Sequence, residues 1–298
     1  MDFLLKLKDL DRRIIFVFIA FAVAGPMLFK LSFPVVPGRP VKGLFTHLDT
    51  LAPGTRTLLS FDYDPASAPE LQPAAVAVLV HMFRHQLKPV CMANWPVGGD
   101  MAEGALEEAL KIFKETPKEY YEKAGLPVPP TTDLKKGTDY VNMGYKPGGM
   151  AHIKGLIHDY LSPYPIDKDG NPTRDMPIFD LGNGKKFTLA DAGVIMSYTA
   201  GTGGIEVYIG LGGEHKRPMA ASCTSVNIPK FYTYLQTKQL IGMVGGLPGA
   251  AECEAIIDYK GPAQRGMAPQ SIAHLVIMLF IIVGNIAYLF ELSKAKKA

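Results

Sequence analysis

The chain has 298 residues, of which 48% are hydrophobic and 20% are charged, and its formal net charge is +3. In soluble domains about a quarter of the residues are charged, and in disordered chains the charged fraction is higher. This composition therefore indicates a folded protein with an apolar bias. The small, dispersed positive charge argues against a nucleic-acid partner, because no run of Lys and Arg is interleaved with aromatic residues.

The first apolar segment, residues 14–29, reads IIFVFIAFAVAGPMLF and contains no charge. Basic residues flank it on both sides, and about 20 apolar residues are needed to cross a bilayer. A cleaved signal peptide is the alternative, because residues 22–24 resemble a small-x-small cleavage site behind a basic start. The apolar run continues past that site, which favours a cytoplasmic tail and a membrane anchor over residues 1–32.

Residues 33–268 alternate between strand and helix patterns after a Pro- and Gly-rich linker. The apolar and aromatic runs predict five strands, at residues 58–63, 89–95, 139–145, 193–200 and 218–224. Helical periodicity and capping residues predict helices at residues 69–87, 100–125, 149–161 and 204–212, with a short capped helix at Thr188 and Asp191. A final helical stretch is predicted over residues 228–257, broken by Gly245, Gly246 and Pro248. Repeated strand–helix alternation predicts an α/β fold with a parallel sheet, either Rossmann-like or flavodoxin-like.

The second apolar segment, residues 270–290, is uncharged and long enough to span a bilayer, so residues 269–298 are predicted to form a second transmembrane helix and a basic tail. Asn285 lies inside this segment, where an amide side chain is typical of a contact with another helix. Seven basic residues lie in the two short ends and five flank the domain, so the positive-inside rule predicts cytoplasmic termini and an extracytoplasmic domain.

Polar residues follow several of the predicted strands, at the edge where open parallel sheets bind ligands. The candidate ligand-binding residues are Asp62, Asp64, Asn94, Tyr145, Thr202 and Ser225. The two aspartates also suit a metal or acid/base pair, but Asp64 precedes a proline, which is typical of turn and capping chemistry. Residues 201–204 read GTGG before a helix, which suits either an anion-binding turn or a tight loop.

Other patterns predict no catalytic residue, metal ligand or cofactor. His81 and His85 have the i, i+4 spacing of metal ligands on a helix, but without a metalloprotease motif we expect solvent-facing histidines. No serine-hydrolase or phosphate-loop motif is present. The three cysteines lie in predicted strands and a predicted helix, where buried free thiols are the common state.

The segments FDYDPASAPELQP (residues 61–73), YKPGG (145–149) and LIGMVGGLPGAAECE (240–254) resemble an uncharacterised bacterial family of membrane-anchored α/β proteins with a transmembrane segment at each end. The resemblance implies a two-pass protein of the bacterial cytoplasmic membrane and implies no activity. By architecture alone, the chain is also similar to the extracytoplasmic domains that accompany some ABC exporters.

These observations predict that the chain is a non-catalytic structural or accessory subunit of a membrane protein assembly. Its expected partners are the membrane, other membrane proteins or copies of itself. Gly242 and Gly249 support this hypothesis. If the helix continues after its break, these glycines lie seven residues apart on one helix face and would permit close packing against another helix. An extracytoplasmic ligand-binding or sensory domain using the strand ends is the alternative, and a hydrolase comes third.

Overall fold

The computed structural model describes residues 12–29, 31, 33–201 and 203–295. The chain divides into two compact units. One contains residues 1–34 and 264–298, and the other contains residues 35–263.

The larger unit is built on one six-stranded sheet in which every pair of neighbours is parallel. The strands are β1 (Arg56–Asp62), β2 (Lys88–Ala93), β3 (Val141–Tyr145), β4 (Ile195–Thr199), β5 (Met219–Cys223) and β6 (Gly242–Gly245). Their spatial order is β3-β2-β1-β4-β5-β6. The predicted α/β class is therefore confirmed, with the doubly wound Rossmann-like order rather than the flavodoxin-like one.

Ten α-helices lie in the described part of the chain. They are α1 (Arg12–Leu28), α2 (Arg39–Asp49), α3 (Ala68–Arg84), α4 (Gly98–Lys114), α5 (Lys118–Ala124), α6 (Gly149–Gly155), α7 (Ile205–His215), α8 (Ile228–Gln236), α9 (Gly246–Ile256) and α10 (Pro262–Ala295). Short 3-10 turns occur at Pro177–Phe179, Leu189–Asp191 and Ser225–Asn227.

The sheet is covered on both faces, which explains why its strands read as apolar runs rather than as alternating patterns. Helices α3, α4 and α9 pack together on one face. The core of the other face joins alternate strand residues to α6, α7, α8 and the segment between α6 and β4. Leu58 of β1 points into this second core, so Ser60 and Asp62 point to the same face.

The helical stretch predicted over residues 228–257 is interrupted, as expected, but strand β6 occupies residues 242–245, where the sequence predicts no strand. Gly242 lies in β6 and Gly249 in α9, so the two glycines do not share one helix face. A Cβ atom on Gly242 would lie 2.5 Å from the backbone N of Leu44 in α2, and one on Gly249 would lie 3.1 Å from the backbone of Val244. Packing within the domain explains the small size of both residues.

Two further helix predictions need correction. The single helix over residues 100–125 is two helices, because Pro117 lacks the N–H that a helix interior requires and stands as the N-cap of α5. The helix predicted to run from Gly149 to residue 161 ends at Gly155. The capping box at Thr188 and Asp191 is confirmed.

Among the described residues, one helix is long and apolar enough to cross a bilayer: Pro262–Leu289, with a mean hydropathy of 2.3. The N-terminal apolar helix, Arg13–Leu28, is shorter. Within the smaller unit, the rings of Phe18 and Phe280 meet edge to face with centroids 5.8 Å apart, so α1 and α10 are in contact.

Candidate functional site

A pocket of about 330 Å³ opens at the carboxyl ends of β1, β2 and β4. Strands β1 and β4 are neighbours, and the chain leaves them towards opposite sides of the sheet, so the pocket lies at the topological switch point where such sheets bind ligands. Its described lining residues are Asp62, Asp64, Ser67, Asn94, Trp95, Ala200, Gly201 and Gly203.

Asp62 forms the buried floor of this pocket and is 5% exposed. Its Oδ1 accepts hydrogen bonds from the Ser60 hydroxyl and the Asn94 backbone N–H, both at 2.9 Å. Its Oδ2 accepts one from the Ser197 hydroxyl at 2.7 Å. The Tyr208 hydroxyl of α7 donates to Ser60 at 2.9 Å and accepts from the Asn94 amide at 2.9 Å. Side chains from β1, β4 and α7 thus fix one carboxylate.

The charge state of Asp62 follows from its burial. Burial raises its pKa to about 6, and the hydrogen bonds from Asn94, Ser197 and Ser60 offset only part of that effect. No ion pair to Asp62 exists among the residues that the structure describes. The pocket therefore has a carboxyl group at its base that ionises near neutral pH and has no cationic partner in the described chain.

Trp95, the only tryptophan in the chain, lies on the rim of the pocket and is 45% exposed. The segment after it enters α4 at Gly98, which packs directly on β1. A Cβ atom on Gly98 would lie 1.9 Å from the carbonyl oxygen of Phe61, so only glycine fits there. This close approach holds the Trp95 loop beside the end of β1.

The structure brings together three of the six candidate ligand-binding residues. Asp62, Asp64 and Asn94 line the pocket. Asp64 also accepts a hydrogen bond from the Ser67 backbone N–H at 3.2 Å, as its turn chemistry predicts.

The other three candidates do not join this group. Tyr145 ends β3 and is not among the residues that line the pocket. Ser225 donates through its hydroxyl and backbone N–H to Glu70 of α3, at 2.6 and 2.7 Å. Thr202 lies outside the described residues.

Sequence reasoning missed Ser60, Ser197 and Tyr208. Ser60 and Ser197 are hydroxyl residues inside apolar strands, and Ser60 lies two positions before Asp62, on the same side of its strand. That spacing was a usable signal. Nothing in the sequence indicates that the Tyr208 ring reaches the same carboxylate network from a helix.

A second polar cluster lies near the C-terminal end of α3. The solvent-facing expectation for its histidines is wrong, because the side chains of His81 and His85 are only 6% and 11% exposed. Their Nε2 atoms lie 2.9 and 3.4 Å from Oδ1 of Asp49, the last residue of α2. Burial, with the neighbouring His81, lowers the pKa of His85 to about 4. Burial acts to raise the pKa of Asp49, but the hydrogen bond from His81 and the nearby histidines lower it overall.

The three cysteines, Cys91, Cys223 and Cys253, are buried free thiols, as expected. Burial raises the pKa of all three thiols, that of Cys223 to about 12. All three are therefore protonated and unreactive at neutral pH.

Comparisons with protein-family models, with curated proteins and with solved structures found no match to this chain.

Proposed function

We propose that the larger unit is a membrane-anchored binding domain for a small organic cation, such as an amine, which enters the pocket at the switch point. One observation carries this proposal: Asp62 is a buried carboxylate that has no ion pair in the described chain and opens onto that pocket. A buried charge is costly unless it is paired, so a cationic group on a ligand would supply the missing partner.

The rest of the pocket supports a positively charged ligand. Asp64 adds a second acidic side chain, and the indole of Trp95 offers an aromatic face that attracts cations. The volume of about 330 Å³ is at the small end of the range for ligand pockets, which favours a small molecule.

The experiment is a calorimetric titration of the full chain, purified in mild detergent, with primary amines, quaternary ammonium compounds and neutral and anionic analogues of the same size. We expect cations alone to bind, and to bind more tightly at about pH 8 than at about pH 5, because Asp62 is then ionised. Asp62→Asn should weaken binding by about tenfold or more, since a hydrogen bond to a charged group contributes about 1.5–3 kcal/mol.

Two further variants complete this experiment. Trp95→Ala should weaken binding by several-fold, because a cation–π contact contributes about 0.5–2 kcal/mol. The control is Asp133→Asn, which removes a carboxylate whose side chain is 82% exposed and which lies outside the pocket. Equal affinity for neutral and cationic analogues, or unchanged binding in Asp62→Asn, would contradict the proposal.

The C-terminal apolar helix supports a second proposed role, as a subunit of a membrane protein assembly. Asn285 is exposed on α10, between apolar residues such as Ile282 and Ile286. An amide facing lipid gains from a hydrogen bond to another helix. We expect Asn285→Leu to shift the detergent-solubilised protein to smaller species in native mass spectrometry without lowering the thermal stability of the domain. Unchanged assembly would remove this support.

We also propose a two-pass topology in the bacterial cytoplasmic membrane, with both termini inside and the domain outside. The contact between Phe18 and Phe280 supports it, because α1 then lies beside the longer apolar helix. Exposed large apolar side chains on both helices add support, since such surfaces are covered by lipid or protein. They include Phe16, Phe21, Leu275, Leu279 and Ile282.

A further inference from the structure

The cluster of Asp49, His81 and His85 has the composition and spacing of a metal site. His81 and His85 stand one helical turn apart, and their rings stack with centroids 4.2 Å apart. Asp49 arrives from a separate helix at the end of α2. The three ligand atoms, one from each residue, all lie within 4.8 Å of one another.

From this geometry we propose that Asp49, His81 and His85 bind a divalent ion of the zinc class. Zinc bonds to imidazole nitrogen and carboxylate oxygen are about 2.0–2.1 Å long, so two ligands of a tetrahedral ion lie about 3.3 Å apart. The two distances from Asp49 Oδ1, 2.9 Å to His81 Nε2 and 3.4 Å to His85 Nε2, bracket that separation. The nitrogens of the two histidines lie within 4.8 Å of each other, so these side chains turn towards the ion to complete three corners of a tetrahedron.

The donor set decides the class of ion. Two imidazole nitrogens and one carboxylate oxygen suit zinc and its transition-metal neighbours, whereas magnesium and calcium prefer oxygen ligands. The Asp49 side chain is 51% exposed, so a fourth corner is open to water. Three protein ligands with one solvent position is the pattern of reactive rather than closed structural zinc sites.

Binding requires one proton to move. Asp49 can only accept as a carboxylate, so His81 Nε2–H donates to it in the metal-free chain. The ion takes the place of that hydrogen, and the displaced proton transfers from Nε2 to Nδ1, so that the imidazole still carries one proton. In the described chain, Nδ1 is buried and has no hydrogen-bond partner, so no existing contact of that atom is lost.

This site is separate from the pocket. Helix α3 begins beside the pocket residue Ser67, and His81 lies fourteen residues later, which corresponds to about 21 Å along the helix axis. Metal binding at this cluster can therefore be tested independently of cation binding at Asp62.

The experiment is equilibrium dialysis of the full chain against Zn²⁺, after purification in detergent without a polyhistidine tag and treatment with a chelator. We expect one Zn²⁺ per chain, no displacement by excess Mg²⁺, and visible absorption bands of four-coordinate Co²⁺ when Co²⁺ replaces zinc. Asp49→Asn and His85→Gln should each weaken Zn²⁺ binding by more than about 100-fold, since loss of an outer partner alone costs about 10–100-fold. Asp49→Asn keeps the side-chain shape at a position that is 51% exposed, and His85→Gln keeps a polar side chain at the largely buried position.

Control variants and a stability measurement separate metal binding from folding. His158→Gln alters an exposed histidine and Asp64→Asn alters the pocket, and both should bind Zn²⁺ as the unaltered chain does. Zn²⁺ should raise the thermal midpoint of the unaltered chain and not that of Asp49→Asn, because an ion that binds only the folded state stabilises it. Absence of stoichiometric zinc, or unchanged affinity in both Asp49→Asn and His85→Gln, would show a hydrogen-bonded Asp–His cluster and overturn the proposal.

Discussion

The Asp62 carboxylate accepts hydrogen bonds from three donors and forms no ion pair with a cation of the described chain. The donors stabilise the ionised form, and burial opposes it. Burial has the larger effect, because the pKa of Asp62 rises from an ordinary 3.8 to about 6. A group in this position makes the stability of the domain depend on pH even without a ligand.

The free energy of unfolding should therefore change with pH through the titration of Asp62. Because the folded pKa lies above the unfolded one, the folded state binds the proton more tightly, and this contribution is complete below about pH 4 and lost as the pH rises through about 6. The shift of about two pKa units corresponds to about 3 kcal/mol. The free energy of unfolding of the unaltered chain, relative to Asp62→Asn, should fall by about that amount between pH 4 and pH 7 in denaturant titrations.

Asp133→Asn is the control for this measurement, since its exposed carboxylate should leave the pH profile of the unaltered chain in place. Parallel profiles for the unaltered chain and Asp62→Asn would show that Asp62 keeps an ordinary pKa. A cationic ligand would then have no unpaired buried charge to neutralise at Asp62.

The sequence predicts the site at residue scale only in part. Asp62, Asp64 and Asn94 could be found because the carboxyl ends of parallel strands are a general binding edge. Ser225 could not be assigned, because its partner Glu70 lies 155 residues away in the chain. The histidine cluster could not be found either, since i, i+4 spacing gives no sign that Asp49 on another helix meets the same face.

At the scale of elements, the junction between β1 and α4 holds the pocket rim. Gly98→Ala would press a methyl group against the Phe61 carbonyl, at 1.9 Å, so backbone must move. Such overpacking typically costs about 1–3 kcal/mol. We expect Gly98→Ala to lower the free energy of unfolding by at least that amount and to weaken amine binding as the Trp95 loop shifts.

Gly104→Ala on the same helix is the matched control. A Cβ atom there would meet only the Gln72 amide at 3.5 Å, an ordinary contact. Alanine is favoured over glycine inside a helix by about 1 kcal/mol, so this variant should be slightly more stable. If Gly98→Ala instead behaves like Gly104→Ala in denaturant titrations, the close approach at β1 does not constrain the loop.

Local sequence predicts most of these elements because β1 to β5 are apolar runs bounded by turn residues. Strand β6 escapes that reasoning, since its sequence, GMVG, has two glycines in four residues and low intrinsic strand preference. It forms because it pairs with β5 and packs against α2, with Gly242 allowing the close approach to Leu44. Tertiary contacts override propensity there.

At the scale of the whole molecule, the buried thiols make the proposed topology directly measurable. Because Cys91, Cys223 and Cys253 are buried, cysteines introduced at exposed positions should dominate the labelling of the folded chain. We expect a membrane-impermeant maleimide to label Asp133→Cys in intact cells and to label Ala298→Cys only after permeabilisation. The reverse pattern would place the domain in the cytoplasm.

The strand order also determines when each strand can pair with its neighbours during synthesis of the chain. Strand β1 can pair with β2 as soon as both are made, but its other neighbour, β4, begins 102 residues after β2 ends, as 195 minus 93 gives. At about 5–20 residues per second, a ribosome needs roughly 5–20 s to make that stretch. During this interval the nascent chain carries an apolar strand with one unpaired edge, which is a template for misassociation. A chaperone that shields this edge would therefore act between the emergence of β2 and that of β4.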